Sequence, residues 1–313
     1  MKALALKLLG ALLLLTAIAM WLSRAPDWPV QALVARWAPP PSDFIEVGGQ
    51  LVHLRDVGPR GDPEPLLLLH GTAASLHTWE GWVQALGAQR RIISVDLPGF
   101  GLTGPRADGD YQGDTYARFV LAVMDQLRVR RFAIAGNSLG GEIAWRTAWL
   151  APTRVARLIL VDAGGLDIEP ASLPIGFVAA RVPLLNRLGE WTLPRALVTA
   201  SLQEVYGDPA KVDAALVERY YELTLREGNR QALVQRLQQQ RRGEHAERIR
   251  ELKLPTLILW GGRDRLIPPA AAQRFKQDIA GSELVVFDDL GHVPQEEDPA
   301  RTAAAVKAFL QRR

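Results

Sequence analysis

A mainly parallel α/β sheet flanked by helices is the fold class this sequence predicts, on three observations. Short apolar runs bounded by turn residues recur at 66–69, 91–95, 132–135, 157–162, 256–260 and 284–287. Segments of helical period lie between them, as at Phe119, Val120, Val123, Met124 and Leu127 within 115–127. Strand–helix alternation implies right-handed crossovers, and therefore parallel pairing. The third observation is a gap. From 163 to 254 the strand signals stop, and the chain turns Arg/Gln/Glu-rich and helical, punctuated by Pro170, Pro174, Pro183, Pro194 and Pro209. A helical lid inserted after the sixth strand accounts for it.

The N-terminus comes first in the chain. Lys2 and Lys7 precede an apolar stretch that runs to Leu22 and is broken only by Gly10 and Thr16. About 20 such residues span a bilayer. Residues 1–23 read as an uncleaved membrane anchor, with Trp21 and Trp28 at the interface and the lysines holding the N-terminus inside, so that the remainder lies outside the cytoplasm. The competing reading is a signal peptide cleaved at Ala17-Ile18-Ala19. Residues 24–42, with Pro26, Pro29 and Pro39-Pro40-Pro41, read as a Pro-rich linker or stalk carrying one short amphipathic piece at 30–37. The core is expected in two parts, 43–162 and 255–313, on either side of the insertion.

Within the first part, 44–47 and 50–55 alternate around Gly48-Gly49 and read as a hairpin. The four leucines at 66–69 suit a parallel strand buried on both faces. A helix is expected over 79–86, where Trp79 and Trp82, like Trp145 further on, read as core. The strand at 91–95 leads into Asp96-Leu97-Pro98-Gly99-Phe100-Gly101.

Next comes Gly136-Asn137-Ser138-Leu139-Gly140, between the apolar run at 132–135 and a helix-like stretch at 142–148. Strand, G-x-S-x-G, helix is the context of a nucleophile elbow, where a serine sits on a strained turn and the flanking small residues let the backbone pass itself. A serine hydroxyl needs a general base, usually a histidine held by a carboxylate. Of five histidines, His292 lies in a loop just past the last strand signal, and Asp264 follows the strand at 256–260. The order Ser138, Asp264, His292 is the one this type of fold uses. Asp162, at the end of another strand, is the alternative acid, and His70 an alternative base that the order rule disfavours. His70 reads instead as a residue that fixes its loop. The loop 70–73 should supply one oxyanion amide, that of Thr72, to pair with the amide of Leu139. Glu142 reads as an acid on the helix N-terminus, and Arg263 and Arg265 as surface or inter-loop partners.

Leu69-His70-Gly71, Asp96 to Gly101, Gly136 to Gly141, Gly262-Arg263-Asp264 and Gly291-His292 together resemble the α/β-hydrolase superfamily, over about 44–310, and within it the bacterial lid-bearing serine esterases and lipases. The resemblance implies Ser138 as nucleophile, His292 as base, Asp264 as acid and the Thr72 and Leu139 amides as oxyanion hole. It implies ester hydrolysis through an acyl-enzyme, on a small-molecule ester or lipid, with no cofactor and no metal. Hydrolytic C–C cleavage of ring-fission products is the alternative activity. Its enzymes usually carry a tryptophan after the histidine, where this chain has Val293. A non-catalytic ligand-binding protein on the same fold is the third reading.

Composition excludes other classes. The 313 residues contain no cysteine, which removes disulfides, a thiol nucleophile and cysteine-ligated metals. Net charge is +3 and the basic residues are dispersed, with Arg241-Arg242 and Arg312-Arg313 the densest spots, so no nucleic-acid footprint is present. The apolar pieces at 175–180 and 197–198 are candidates to line an acyl pocket.

Overall fold

The computed structural model describes residues 2–312. Eight strands form one sheet: β1 (Ser42–Val47), β2 (Gln50–Val57), β3 (Leu66–Leu69), β4 (Ile92–Val95), β5 (Phe132–Asn137), β6 (Val155–Val161), β7 (Thr256–Gly261) and β8 (Glu283–Phe287). Their order is β1-β2-β4-β3-β5-β6-β7-β8. The first two pairings in that order are antiparallel and the rest parallel. The hairpin closes through Gly48 and Gly49, both at positive φ, in register Val47 with Gln50. A two-residue turn with positive φ at both positions matches the strands' right-handed twist.

The four leucines of β3 show why the run is uninterrupted. Leu67 and Leu69 join one core cluster, Leu66 and Leu68 the other, because alternate side chains leave opposite faces. Helices α1 (Lys2–Leu22) and α2 (Val30–Trp37) precede the sheet. Helix α3 (Glu80–Leu86) and the C-terminal helix cover one face; α4 (Gly113–Gln126) and α5 (Leu139–Leu150) cover the other. Trp79, Trp82 and Trp145 are fully buried, as their spacing implies. The insertion between β6 and β7 is helical throughout: α6 (Ile175–Arg181), α7 (Pro183–Gly189), α8 (Arg195–Val205), α9 (Ala214–Thr224) and α10 (Asn229–Gln239). Past β7 come α11 (Ala270–Asp278), α12 (Pro294–Glu297) and α13 (Pro299–Gln311).

The Pro-rich segment 24–42 lies along the insertion instead of standing free of it. Trp28 N–H donates to Leu225 O (2.7 Å), and Glu227 N–H returns to Trp28 O (2.8 Å). Leu33 of α2 is 1% exposed against Leu102 and Leu223. Trp37 Nε1 donates to Glu222 Oε2 (2.6 Å). Composition marks this segment as linker, but Leu33 and the two tryptophans give it an apolar side to bury. Leu33→Ala should therefore lower the unfolding free energy of the detergent-solubilised chain by about 2–5 kcal/mol, read as a fall in denaturant midpoint. An unchanged midpoint would show the segment undocked.

Candidate active site

The parallel strands deliver five residues to one edge of the sheet. Thr72 follows β3 by three positions, Ser138 follows β5 directly, Asp162 follows β6, Asp264 follows β7 by three and His292 follows β8 by five. This carboxyl edge is where ligands bind in sheets of this kind.

Ser138 has φ +55 and ψ −116, a conformation that costs a non-glycine residue of order 1–3 kcal/mol. Two glycines make it reachable. A Cβ on Gly136 would stand 2.0 Å from Gly140 O, and one on Gly140 would stand 2.2 Å from Leu69 O. The turn thus presses α5 against the end of β3 with no space for a methyl group. Leu139 opens α5, so its N–H has no acceptor in the preceding turn. Among the described residues the Thr72 N–H has no protein acceptor either.

His292 Nδ1 lies 2.7 Å from Asp264 Oδ2, and both side chains are buried. Asp264 Oδ1 accepts from the N–H groups of Leu266 (2.8 Å) and Ile267 (2.9 Å), which fixes the carboxylate plane. With Nδ1 donating to a carboxylate, the lone pair of His292 is left on Nε2. Ser138 and His292 line one cavity of about 190 Å³, with Gly71 and Thr72 in its floor and helices of the insertion as its roof. A hydrogen bond from the serine to the base is often long in an unliganded site and tightens on substrate binding.

Asp162 is fully buried and has φ +44. Its Oδ1 accepts from Gly261 N–H (2.9 Å), while its Oδ2 has no hydrogen-bond partner. Burial, with the Asp264 carboxylate beside it, raises its pKa well above the carboxylate range. Its surroundings therefore favour the protonated form of the alternative acid. Asp162, Asp264 and His292 have ligand atoms within 4.8 Å of one another. The 2.7 Å contact between Nδ1 and Oδ2 is that of a shared proton; a bridging cation about 2 Å from each atom would hold them farther apart.

His70 stands outside this group. Its Nε2 accepts from Leu97 N–H (2.9 Å), so its Nδ1 carries the proton and donates to Gly71 O (2.7 Å). The Leu97 N–H requires the neutral ring, and burial lowers the pKa of His70. It ties the loop at 70–73 to the loop after β4. Arg263 and Arg265 reach the insertion, at Gly207 O (3.2 Å) and Glu204 (3.6 Å). Glu142 does sit in the first turn of α5, but it is buried in a charge network with Arg146 (3.0 Å) and Arg236 (3.8 Å), which joins α5 to α10.

Sequence reasoning missed two residues. Asn137 Nδ2 donates to His292 O (2.8 Å) and Val161 O (3.2 Å), tying the histidine loop to the elbow. Glu297 accepts from Gly291 N–H (2.8 Å), Gly207 N–H (3.0 Å) and Asp208 N–H (2.9 Å). Asn137 stands inside the elbow motif, a signal that was available. Glu297 bonds residues 90 positions away and left none.

Of the candidate pocket pieces, Gly176, Phe177, Ala179, Ala180, Leu197 and Val198 line the cavity; Ile175 and Val178 face outward, as a helical period dictates.

Comparison with known proteins follows from this geometry. Residues 64–299 match the alpha/beta hydrolase fold family. Over 280 residues, 87% of this chain and 70% of the relative, the chain is 31% identical to the dihydrolipoyllysine-residue acetyltransferase component of the acetoin cleaving system of Pseudomonas putida. Over 269 residues, 83% and 91% of the two chains, it is 30% identical to a 2-hydroxy-6-oxononadienedioate/2-hydroxy-6-oxononatrienedioate hydrolase of Escherichia coli K12. Among solved structures, a bacterial membrane phospholipase A matches 99% of this chain and 98% of its own, with TM-score 0.73 and 26% identity.

The two carboxyl groups should separate cleanly on substitution. Asp264→Asn is expected to lower kcat for an activated ester by about 10⁴-fold, through the wrong imidazole tautomer. Asp162→Asn should stay within about tenfold of wild type, because the amide keeps a neutral polar group there. A raised pKa in the folded state means that Asp162 costs stability increasingly as pH climbs above the ordinary carboxyl value of about 4. The Tm advantage of Asp162→Asn over wild type should therefore grow from pH 4 to pH 8. The reverse ranking of the two kcat losses would make Asp162 the acid.

Proposed function

The chain belongs to the α/β-hydrolase fold family, and from that premise we propose that it is a serine hydrolase of carboxylic esters. The observation that carries this reading is the strained Ser138 opening on the same apolar cavity as the hydrogen-bonded His292–Asp264 pair. In the proposed reaction, Ser138 Oγ attacks the ester carbonyl while its proton passes to His292 Nε2. The amides of Thr72 and Leu139 hold the oxyanion, each donor worth about 3 kcal/mol of barrier. Collapse breaks the C–O bond, and the departing alkoxide takes the proton from His292. Water then attacks the acyl-enzyme, giving its proton to His292, and Ser138 recovers one as the carboxylic acid leaves. Asp264 orients the ring and stabilises its charged form in both halves. No cofactor enters.

The cavity favours esters with an apolar acyl group. Among the described residues, Arg230 is the one arginine or lysine that lines it, and that guanidinium is engaged by Asp27 Oδ1 (2.5 Å) and Gly189 O (2.9 Å). The second reading, C–C hydrolysis, draws support from the similarity to the dienedioate hydrolase. Such a substrate carries carboxylates that need free cations, and position 293 is valine where those enzymes usually have tryptophan. The anchor reading of α1 is supported by its 21 residues, by the full exposure of Leu4–Leu22 and by the likeness to the membrane phospholipase A over nearly the whole chain. On that reading the enzyme domain lies outside the cytoplasm, with Lys2 and Lys7 inside.

The purified chain should hydrolyse p-nitrophenyl butyrate, and Ser138→Ala should lower kcat by about 10⁴-fold or more. His292→Ala should cost a similar factor, and the double variant little beyond either, because the two act as a unit. Turnover of a 2-hydroxy-6-oxo-dienoate with none of the ester would establish the second reading.

A further inference from the structure

Outside α1, eight large apolar residues are exposed among the described residues: Leu51, Leu150 and Val286 singly, and Ile175, Val178, Val182, Leu185 and Trp191 together within 17 positions. Single exposed apolar residues are ordinary; four on one short hairpin, with Trp191 two positions past its end, form a patch that calls for a partner. The hairpin is α6–α7. Its inner side, with Phe177 and Ala180, lines the cavity, and Leu185 lies both on the cavity wall and at the surface.

The chain itself indicates what meets the outer side. The residues that follow α7 clasp the end of α1. Ala25 N–H donates to Trp191 O (2.9 Å), Leu193 N–H donates to Ser23 O (3.2 Å), and Arg24 and Thr192 form an antiparallel bridge. Helix α1 has 21 residues, a rise of about 31 Å, close to the roughly 30 Å of a bilayer's hydrocarbon. Its Trp21 is 73% exposed one turn before the clasp, and Trp191 is 65% exposed on the other side of it. Two tryptophans beside the mouth of a span mark an interface. Arg24, Arg181 and Arg187, all exposed, add charges suited to headgroups. Thr192 and Leu193, half of the clasp, also line the cavity. One continuous element thus joins the end of the span, the apolar patch and the cavity wall.

We propose that the outer face of α6–α7 is inserted in the surface of the bilayer that α1 spans, and that the cavity receives the acyl chain of a membrane-resident ester directly from that bilayer past Leu185 and Leu193. The proposal rests on the ester-hydrolase reading and deepens it: the substrate class is a long-chain acyl ester presented in a membrane. An amphipathic helix binds an interface by burying its apolar face some 5–10 Å deep, and α6 offers such a face, joined through α7 to the residues that meet the end of the anchor. The covalent steps are those of ester hydrolysis at Ser138, with the fatty acid as the acyl product.

The test uses the full chain reconstituted in phosphatidylcholine vesicles. Val178→Glu/Val182→Glu places two carboxylates on the outer face, at positions that do not line the cavity. Release of fatty acid from the vesicles should fall about tenfold or more, because a charge at this depth is expelled from the interface. Hydrolysis of water-soluble p-nitrophenyl butyrate by the same vesicles should stay within about twofold. Leu51→Glu, an exposed apolar residue elsewhere, should change neither. Unaltered lipid hydrolysis in the double variant overturns the proposal. A fold-independent measurement accompanies it. Brominated phosphatidylcholine should quench wild-type tryptophan fluorescence more than that of Trp191→Phe, and equal quenching overturns the insertion. If wild type cleaves no ester at all, the hydrolase reading fails, while the quenching comparison still decides whether the hairpin meets the membrane.

Discussion

The turn between β5 and α5 is the constraint on which the site depends. It places Ser138 in a conformation few side chains adopt, and it does so by bringing two backbone segments to van der Waals contact. Neither Gly136 nor Gly140 has space for a Cβ, so the geometry follows from the absence of two methyl groups. From that contact the other parts take their places. β3 lies beside β5, so the loop carrying Thr72 passes next to the serine. Asn137, inside the same turn, holds the main chain of His292. Strands β6, β7 and β8 then bring Asp162, Asp264 and His292 to the same edge.

Two carboxyl groups, Asp162 and Asp264, meet the His292 imidazole at that edge. Asp264 accepts from two backbone amides and lies 2.7 Å from His292 Nδ1, while burial and then the neighbouring carboxylate raise the pKa of Asp162. Two carboxyl groups in contact cannot both ionise cheaply away from water. Glu297 extends the arrangement to the roof, since it binds amides of both the histidine loop and the insertion, and His292 N–H itself donates to Val205 O (2.7 Å). His292 and the wall of the cavity are held by the same few bonds.

Much of this was legible in the sequence, for reasons of period and position. Strands β3, β4 and β7 are short apolar runs paired on both sides within the sheet, and burial on both faces explains four consecutive leucines. The hairpin was marked by Gly48-Gly49, the elbow by its glycines and the insertion by the end of strand signals. The α/β class, the crossovers and the insertion after the sixth strand appear in the structure as the sequence predicts. What was hidden depends on tertiary contact. The docking of 24–42 rests on Leu33 meeting Leu102 and Leu223, which no local pattern encodes. The burial of Glu142 with Arg146 and Arg236 needs α10 in place. The raised pKa of Asp162 comes first from burial under the folded sheet and then from Asp264, about a hundred residues away.

The account stands on one chemical claim, that Ser138 is an alcohol made nucleophilic by His292. An alkyl fluorophosphonate reports this directly, since an activated serine displaces fluoride and keeps the phosphonyl group on its Oγ. Mass spectrometry of the treated, folded chain should find a single phosphonyl group on the peptide containing Ser138, and none on that peptide in His292→Ala. An unmodified Ser138 peptide in the folded wild-type chain, or a label carried by another residue, would contradict it.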